Sequence, residues 1–464
     1  MTLYPFQQKC VTDALRKTLD GGRLLVVAPT GTGKSVMLSA LAAAHASFGH
    51  TVAILVHRQE LFDQTAAKLR DAGLTFGSIA AGREPSTSRV QLCMAQTVRR
   101  RLKGFPFDVA INDEAHRDEF GAIVKDPPRW MYGFTATPTR TDDRLYDWYG
   151  EMLEATTYSE AIAGGYIVPA RCFAPHVPDL SDVALQGGDY DLEAVARKLM
   201  DIGHVGNVVE NWLAKERGQK TVVFCSNVDH ADKTAAEFRV RGVQCAAITG
   251  KTGGPERAFS MARFRAGSLQ VLVNVGVFTE GLDVADAHVI VLDRPTHSLA
   301  LYMQMCGRGG RSFPGKREYR VWDHTGSVFE HGSPTQDRQW ALVPPAERKK
   351  KTAAAPGFKR CPKCFFVFAP GQTACPACAT PNTTRPVKHK NGTLVEVDFE
   401  AYKPLDGFID AYQRARRKAF AEASARGVKG NNAFALVQKS LQQTRAVMYG
   451  KHQLVIPVNT DLMW

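Results

Sequence analysis

The sequence predicts an α/β chain with two tandem parallel-sheet lobes, a small cysteine-rich ribbon and a helical C-terminal tail. Three observations predict it. Short apolar runs alternate with helix-patterned stretches in two separate blocks, the pattern of buried parallel strands. Four of the ten cysteines fall into two closely spaced pairs between residues 361 and 378. The positive charge is concentrated at the C-terminal end: residues 345–464 hold 20 basic and 8 acidic side chains, whereas the first 344 hold 39 and 38.

A chain of 464 residues accommodates about three domains at ~150 residues each. With 44% hydrophobic and 23% charged residues it sits in the globular range, which excludes disorder throughout. No run of ~18 apolar residues is present, so no membrane span is expected. The start, Met1-Thr2-Leu3-Tyr4-Pro5-Phe6, lacks a basic segment followed by an apolar one, so a secretory signal is not expected either. A soluble, cytoplasmic protein is the resulting expectation. The net charge of +13 belongs to the appended tail, and either a polyanion partner or a solvated basic face accounts for it.

In the first block, residues 23–28 read as a strand and residues 34–45 as a helix. Between them lies Ala28-Pro29-Thr30-Gly31-Thr32-Gly33-Lys34-Ser35. A glycine-rich turn from strand to helix cradles phosphates, because backbone N–H groups point inward at a helix N-terminus. Lys34 would neutralise the β and γ phosphates and the Ser35 hydroxyl would ligate Mg²⁺. Further strands are expected at 52–56, 109–112 and 131–135, with a helix at 59–72. At the end of the 109–112 run stands Asp113-Glu114-Ala115-His116. Adjacent carboxylates at a strand end divide roles: Asp113 would hold Mg²⁺ and Glu114 would polarise the attacking water. Together these residues predict nucleoside triphosphate hydrolysis.

The pattern weakens through residues 155–206, which contain Gly187-Gly188 and three prolines, and an irregular connector is expected there. It resumes with strands at 221–225, 243–248, 270–274, 288–292 and 319–322. Pro344-Pro345 and the basic run 348–351 mark a linker, and helices are expected at 406–425 and 433–449. The cysteines Cys361, Cys364, Cys375 and Cys378 give C-x₂-C-x₁₀-C-x₂-C. Four thiolates in this spacing form a tetrahedron that selects a structural Zn²⁺. Phe365, Phe366 and Phe368 would either stack bases or form the ribbon's core. Phe365 and Ala379 stand where each knuckle often has glycine, so less regular turns are expected.

From about residue 3 to residue 323 the sequence resembles the superfamily 2 helicases and translocases. The elements that carry the resemblance, beyond the phosphate loop and the Asp-Glu-Ala-His box, are these: Leu3-Tyr4-Pro5-Phe6-Gln7; Val56-His57-Arg58-Gln59-Glu60-Leu61; Met94-Ala95-Gln96-Thr97; Thr135-Ala136-Thr137-Pro138; Val222–Ser226; Thr279-Glu280-Gly281-Leu282-Asp283; and Gln304-Met305-Cys306-Gly307-Arg308-Gly309-Gly310-Arg311. The resemblance implies two RecA-like lobes with ATP between them. It implies that Gln7 reads adenine, an amide being able to pair with adenine N6 and N7. It implies ATP-binding roles for Gly281 and Asp283, and coupling of ATP state to nucleic-acid grip through Thr135, Thr137 and Gln304. Arg308 and Arg311 would act as arginine fingers, contributions of about 10³–10⁵ in rate in related systems. Arg58, Gln96, Thr97, Ser226 and Thr279 would contact the nucleic-acid backbone without reading sequence.

The implied domains are a RecA-like ATP-binding lobe at 1–155, the connector at 156–206, a second RecA-like lobe at 207–343, a basic linker at 344–357, the zinc ribbon at 358–385 and a basic, mainly helical tail at 386–464. With its four-cysteine tail the layout most resembles the bacterial RadD-type repair helicases. That implies single-stranded or branched DNA as partner, a role in repair, recombination or replication, and contact with single-strand-binding protein. An RNA helicase, or an ATPase switch that binds nucleic acid without separating strands, stays open as an alternative.

Overall fold

The computed structural model describes residues 2–83, 86–101, 105–117, 126–138, 145–175, 177–201, 203–276, 286–342, 358–369 and 371–382. The expected tail helices, the basic linker and the segment containing Thr279, Gly281 and Asp283 lie outside the described residues.

The first lobe is a seven-stranded sheet built from β1 (Gly22–Val27), β2 (Val52–Val56), β3 (Gly77–Ile79), β4 (Val90–Met94), β5 (Val109–Asp113), β6 (Trp130–Thr135) and β7 (Glu151–Glu154), in the order β3-β4-β2-β5-β6-β1-β7. All its pairings are parallel. Parallel sheets are covered on both faces, which is why β2, β5 and β6 are buried along their whole length. One face packs under Leu38, Leu41 and Phe62 from the helices Lys34–Ser47 and Gln59–Asp71; the other packs under Trp148 and Tyr149.

The second lobe uses β8 (Ala170–Phe173), β11 (Thr221–Cys225), β12 (Cys245–Ile248), β13 (Val271–Asn274), β14 (Val289–Asp293) and β15 (Tyr319–Asp323), with a short hairpin of β9 (Leu185–Gln186) and β10 (Asp189–Tyr190) between β8 and β11 in the sequence. Its order is β12-β13-β11-β14-β15-β8, again parallel throughout.

Residues 156–206 are more ordered than their sequence indicates. They hold the helices Tyr158–Ala163 and Leu192–Asp201, and their strand β8 forms an edge of the second sheet. Prolines at 169 and 175 flank this strand, an edge placement that leaves the missing N–H groups outside the ladder.

The cysteine ribbon, with β16 (Lys359–Arg360) and β17 (Val367–Phe368), docks on that edge. Ala174 N donates to Phe365 O at 3.0 Å, and Arg360 donates to Ala174 O at 3.1 Å. The Phe366 ring packs edge-on against Phe173, and Arg171 lies over both rings. Phe368 is buried with Cys361 and Cys375. Phe366 and Phe368 are thus packing residues. The knuckle turns keep their left-handed geometry without glycine, with φ of 63° at Phe365 and 57° at Ala379. That costs roughly 1–2 kcal/mol at each position.

Candidate active site at the lobe junction

The phosphate loop leaves β1 and enters the helix Lys34–Ser47 through Gly33, whose φ of 83° is left-handed. A side chain there is excluded twice over, since a Cβ would fall 2.6 Å from Gln7 Nε2. Gln7 is buried and braces the loop: its Nε2 donates to Thr32 O at 2.9 Å, and its Oε1 accepts from Tyr4 N at 3.0 Å. Thr32 Oγ1 closes the turn onto Pro29 O at 2.7 Å, and Lys34 Nζ reaches Ala28 O at 3.3 Å. Ser35 stands in the first turn of the same helix.

Asp113 ends β5, and Glu114 follows with a left-handed φ of 52°. Strain of this kind concentrates at functional sites. Asp113 Oδ1 accepts from Glu114 N at 3.0 Å. Burial and the neighbouring Glu114 carboxylate push Asp113 up to about 7. Burial likewise lowers Lys34, against the attraction of Glu114 and Asp113, while Arg308 and Arg311 push in the same direction as burial. Lys34 therefore feels both carboxylates of its own lobe and both arginines of the other.

The lobes touch here. A Cβ on Gly31 would lie 3.3 Å from Arg311 Cγ and 3.4 Å from Ile167 Cγ2, and one on Gly307 would lie 2.6 Å from Thr30 Cβ. Arg58 Nη1 donates to Gly276 O across the junction at 3.3 Å. The finger loop is held from behind by the connector: Val168 N donates to Gly310 O at 2.8 Å, and Ser312 Oγ to Tyr166 O at 2.7 Å. His116 Nδ1 lies 3.1 Å from Thr135 Oγ1 and 3.6 Å from Glu114 Oε2, while Thr137 N donates to Thr135 Oγ1 at 3.1 Å.

Two buried polar atoms around this junction, Thr137 Oγ1 and Gln304 Nε2, have no hydrogen-bond partner, and Glu114 Oε2 has only the 3.6 Å contact with His116. Buried groups left this way call for a ligand. The donor set fits a hydrated Mg²⁺: one hydroxyl (Ser35) and a buried carboxylate (Asp113) whose acidity a cation would restore.

The nucleic-acid candidates are more dispersed. Gln96 is exposed and donates to His57 O at 3.3 Å, Thr97 is half-buried, and Ser226 is buried with its hydroxyl turned to Asp293 O at 3.4 Å. Sequence reasoning missed an aromatic group beside Gln7, in which Tyr166 of the connector lies 4.6 Å from Tyr4 and 4.8 Å from Phe6 between ring centroids. No spacing rule links Tyr166 to residues so far away in sequence; only the fold brings them together.

Two cysteine- or histidine-bearing clusters stand elsewhere. In the ribbon, Cys361 Sγ is 3.5 Å from Cys378 Sγ, and Cys364 Sγ is 3.6 Å from Cys375 Sγ. Tetrahedral zinc at ~2.3 Å from each sulfur requires edges of about 3.8 Å, so the four cysteines fit that ion. In the second lobe, the fully buried Asp293 carboxylate lies 2.7 Å from His204 Nε2 and 3.0 Å from His230 Nε2. This network joins β14 to two helices.

Two tandem parallel-sheet lobes, with the glycine-rich loop of one and the arginine-bearing loop of the other pressed together, form the arrangement expected of a nucleotide-dependent two-lobe enzyme. Comparison with known proteins carries this further. Residues 1–140 match the family described as the res subunit of type III restriction enzymes, and residues 204–313 match the helicase conserved C-terminal domain. A 51.5 kDa protein of a Lactococcus phage is 29% identical over 363 residues, covering 76% of this chain and 77% of that one. The mitochondrial ATP-dependent helicase irc3 of Schizosaccharomyces pombe is 28% identical over 364 residues, 72% of this chain and 60% of its own. Among solved structures, the fragment of an HsdR subunit of a type I restriction enzyme from Vibrio vulnificus superposes with a TM-score of 0.57 at 23% identity, covering 71% of this chain and 65% of that one. The Type ISP restriction-modification enzyme LlaBIII bound to DNA gives 0.51 at 16% identity over 69% of this chain and 28% of its own. These matches on the two lobes, together with the ATP-dependent helicases among the relatives, support an ATP-hydrolysing helicase. Among the described residues no helix is long and apolar enough to cross a membrane.

Proposed function

We propose that the protein is a DNA helicase or translocase that hydrolyses ATP when its two lobes close on the nucleotide and moves along or remodels DNA in repair, recombination or replication. The observation that carries this reading is the junction itself, where Arg311 and Gly307 of the second lobe press against Gly31 and Thr30 of the phosphate loop. In this reading Gln7 selects adenine, and residues 28–35 wrap the phosphates with backbone N–H groups. Glu114 orients and polarises the attacking water. Arg308 and Arg311 balance the charge that develops on the γ phosphate, so hydrolysis proceeds only in the closed state. Ser35 and Asp113 would hold Mg²⁺, which neutralises phosphate charge when bound. Gly281 and Asp283 complete the nucleotide site, following the superfamily resemblance.

His116, Thr135, Thr137 and Gln304 form the link between the two sites. A nucleic-acid backbone crossing both lobes is gripped by Arg58, Gln96, Thr97 and Thr279, and the state of the nucleotide sets that grip. The ribbon holds structural Zn²⁺ through Cys361, Cys364, Cys375 and Cys378. The RadD-type resemblance supports DNA over RNA and adds single-strand-binding protein as a partner. ATPase rates with single-stranded DNA, forked DNA and RNA, paired with strand-displacement assays, test the reading. Stimulation by DNA with displacement or translocation is expected. Stimulation by RNA alone would overturn the DNA assignment, and DNA-stimulated ATPase without movement would favour a switch.

A further inference from the structure

Between the lobes lies a cavity of about 360 Å³ whose walls include Arg58, His116 and Arg117 from the first lobe and Asp189, Arg294 and Gln304 from the second. Among the described residues, three arginines and one carboxylate line it. Asp189 is already committed: its oxygens accept from Thr296 Oγ1 at 2.6 Å and His297 N at 2.8 Å, fixing the loop that leads into the helix Leu299–Gly307. Arg294 directly follows Asp293 at the end of β14. Its Nε is buried without a hydrogen-bond partner, while the residue as a whole is half-buried at the cavity wall. Burial acts against its charge and Asp189 only partly restores it. A buried N–H without an acceptor is costly, and an anion entering the cavity supplies the oxygen that satisfies it.

That anion is not the nucleotide. No residue of the phosphate loop 28–35 lines the cavity, and neither Arg308 nor Arg311 does. The cavity is nevertheless linked to the hydrolysis centre. Its wall residue His116 lies against Thr135 and Glu114, and its wall residue Gln304 is in the helix that ends at Gly307, opposite Thr30.

We infer that this cavity binds one phosphodiester group of the nucleic-acid strand, with Arg294 and Arg117 as binding residues beside Arg58. The group bridges a cationic wall on each lobe, so a bound strand draws the lobes together and thereby assembles the ATP site. This inference rests on the nucleic-acid reading proposed above and assigns it a specific contact.

The test compares the full chain with Arg294→Ala and Arg294→Lys, using a fluorescent single-stranded oligonucleotide across a salt series. For Arg294→Ala the expected result is binding weakened about tenfold and a log–log salt slope smaller in magnitude by about 0.7, one phosphate's share for a single strand. Arg294→Lys should keep the slope while losing part of the affinity, because the charge remains and the fork does not. An oligonucleotide with one neutral methylphosphonate linkage, moved along its length, should weaken wild-type binding at one position and have no further effect on Arg294→Ala. Inorganic phosphate is the probe for the competing source of the same anion. If it inhibits the wild type strongly, loses that effect in Arg294→Ala, and oligonucleotide affinity is the same in both, the cavity holds released phosphate and the inference is wrong. Equal affinities and salt slopes for wild type and Arg294→Ala also overturn it. A wild type that binds no nucleic acid would instead overturn the function it rests on.

Discussion

Replacing Gly307 with alanine tests whether the lobe contact seen here is the one used in turnover. Gly307 ends a helix of the second lobe, and the new methyl would lie 2.6 Å from both Cβ and Cγ2 of Thr30 in the phosphate loop. Carbon atoms rest at about 3.5–4.0 Å, so the lobes must separate locally by roughly 0.9–1.4 Å. Misplacing a catalytic group by about 1 Å costs on the order of 10²-fold. We therefore expect kcat for ATP hydrolysis to fall about a hundredfold in Gly307→Ala. The lobe itself should not lose stability, since alanine favours a helix over glycine by up to about 1 kcal/mol. A double mutant separates a clash from a chemical effect. Thr30→Gly removes the offending Cβ and should recover much of the lost rate in the Gly307→Ala background. Thr30→Ala keeps that Cβ and should recover little. Wild-type kcat in Gly307→Ala, measured by steady-state phosphate release, would refute the reasoning.

Lys34→Ala should abolish ATP turnover while leaving zinc content unchanged, checked by phosphate release and elemental analysis. Asp293→Asn should destabilise the second lobe by about 3–5 kcal/mol in denaturant unfolding, because it strips the charge from a fully buried His204–Asp293–His230 network. Although burial works against its charge, His230 and His204 hold the Asp293 carboxyl well below the usual carboxylate range. Its contribution is thus present above the unfolded value of ~4 and lost as the pH falls further, so the variant's stability should depend less on pH at the acid end. Cys361→Ser should abolish stoichiometric zinc binding and, since the ribbon docks on β8, should also lower the unfolding midpoint of the second lobe. An unchanged midpoint would show that the ribbon folds independently.

The two lobes, and the segments that meet at their junction, were legible in the sequence because their patterns are local. The phosphate loop, the acidic box and the arginine loop each occupy a few consecutive residues at a strand or helix end. The long apolar strands β2, β5, β11 and β14 fall close to where their patterning places them. What was hidden depends on distant pairing. β8 reads as irregular because prolines flank a four-residue edge strand whose identity comes only from its partner β15. The ribbon's attachment, the aromatic group around Tyr166 and the cavity around Arg294 each join segments more than 100 residues apart, and no periodicity records such contacts. Ser226 shows the opposite case: a motif position expected at the nucleic-acid surface is buried against Asp293.

The most direct measurement is a crystal structure of the protein with ADP, Mg²⁺ and a planar metal fluoride in place of the transferring phosphoryl group, in the presence of nucleic acid. Both the Arg308 and Arg311 guanidiniums should lie about 2.7–3.1 Å from the fluoride ligands, with Lys34 on the opposite side. Lobes that stay apart around that mimic, with both arginines directed away from Lys34, would contradict the claim that the second lobe completes the hydrolysis site of the first.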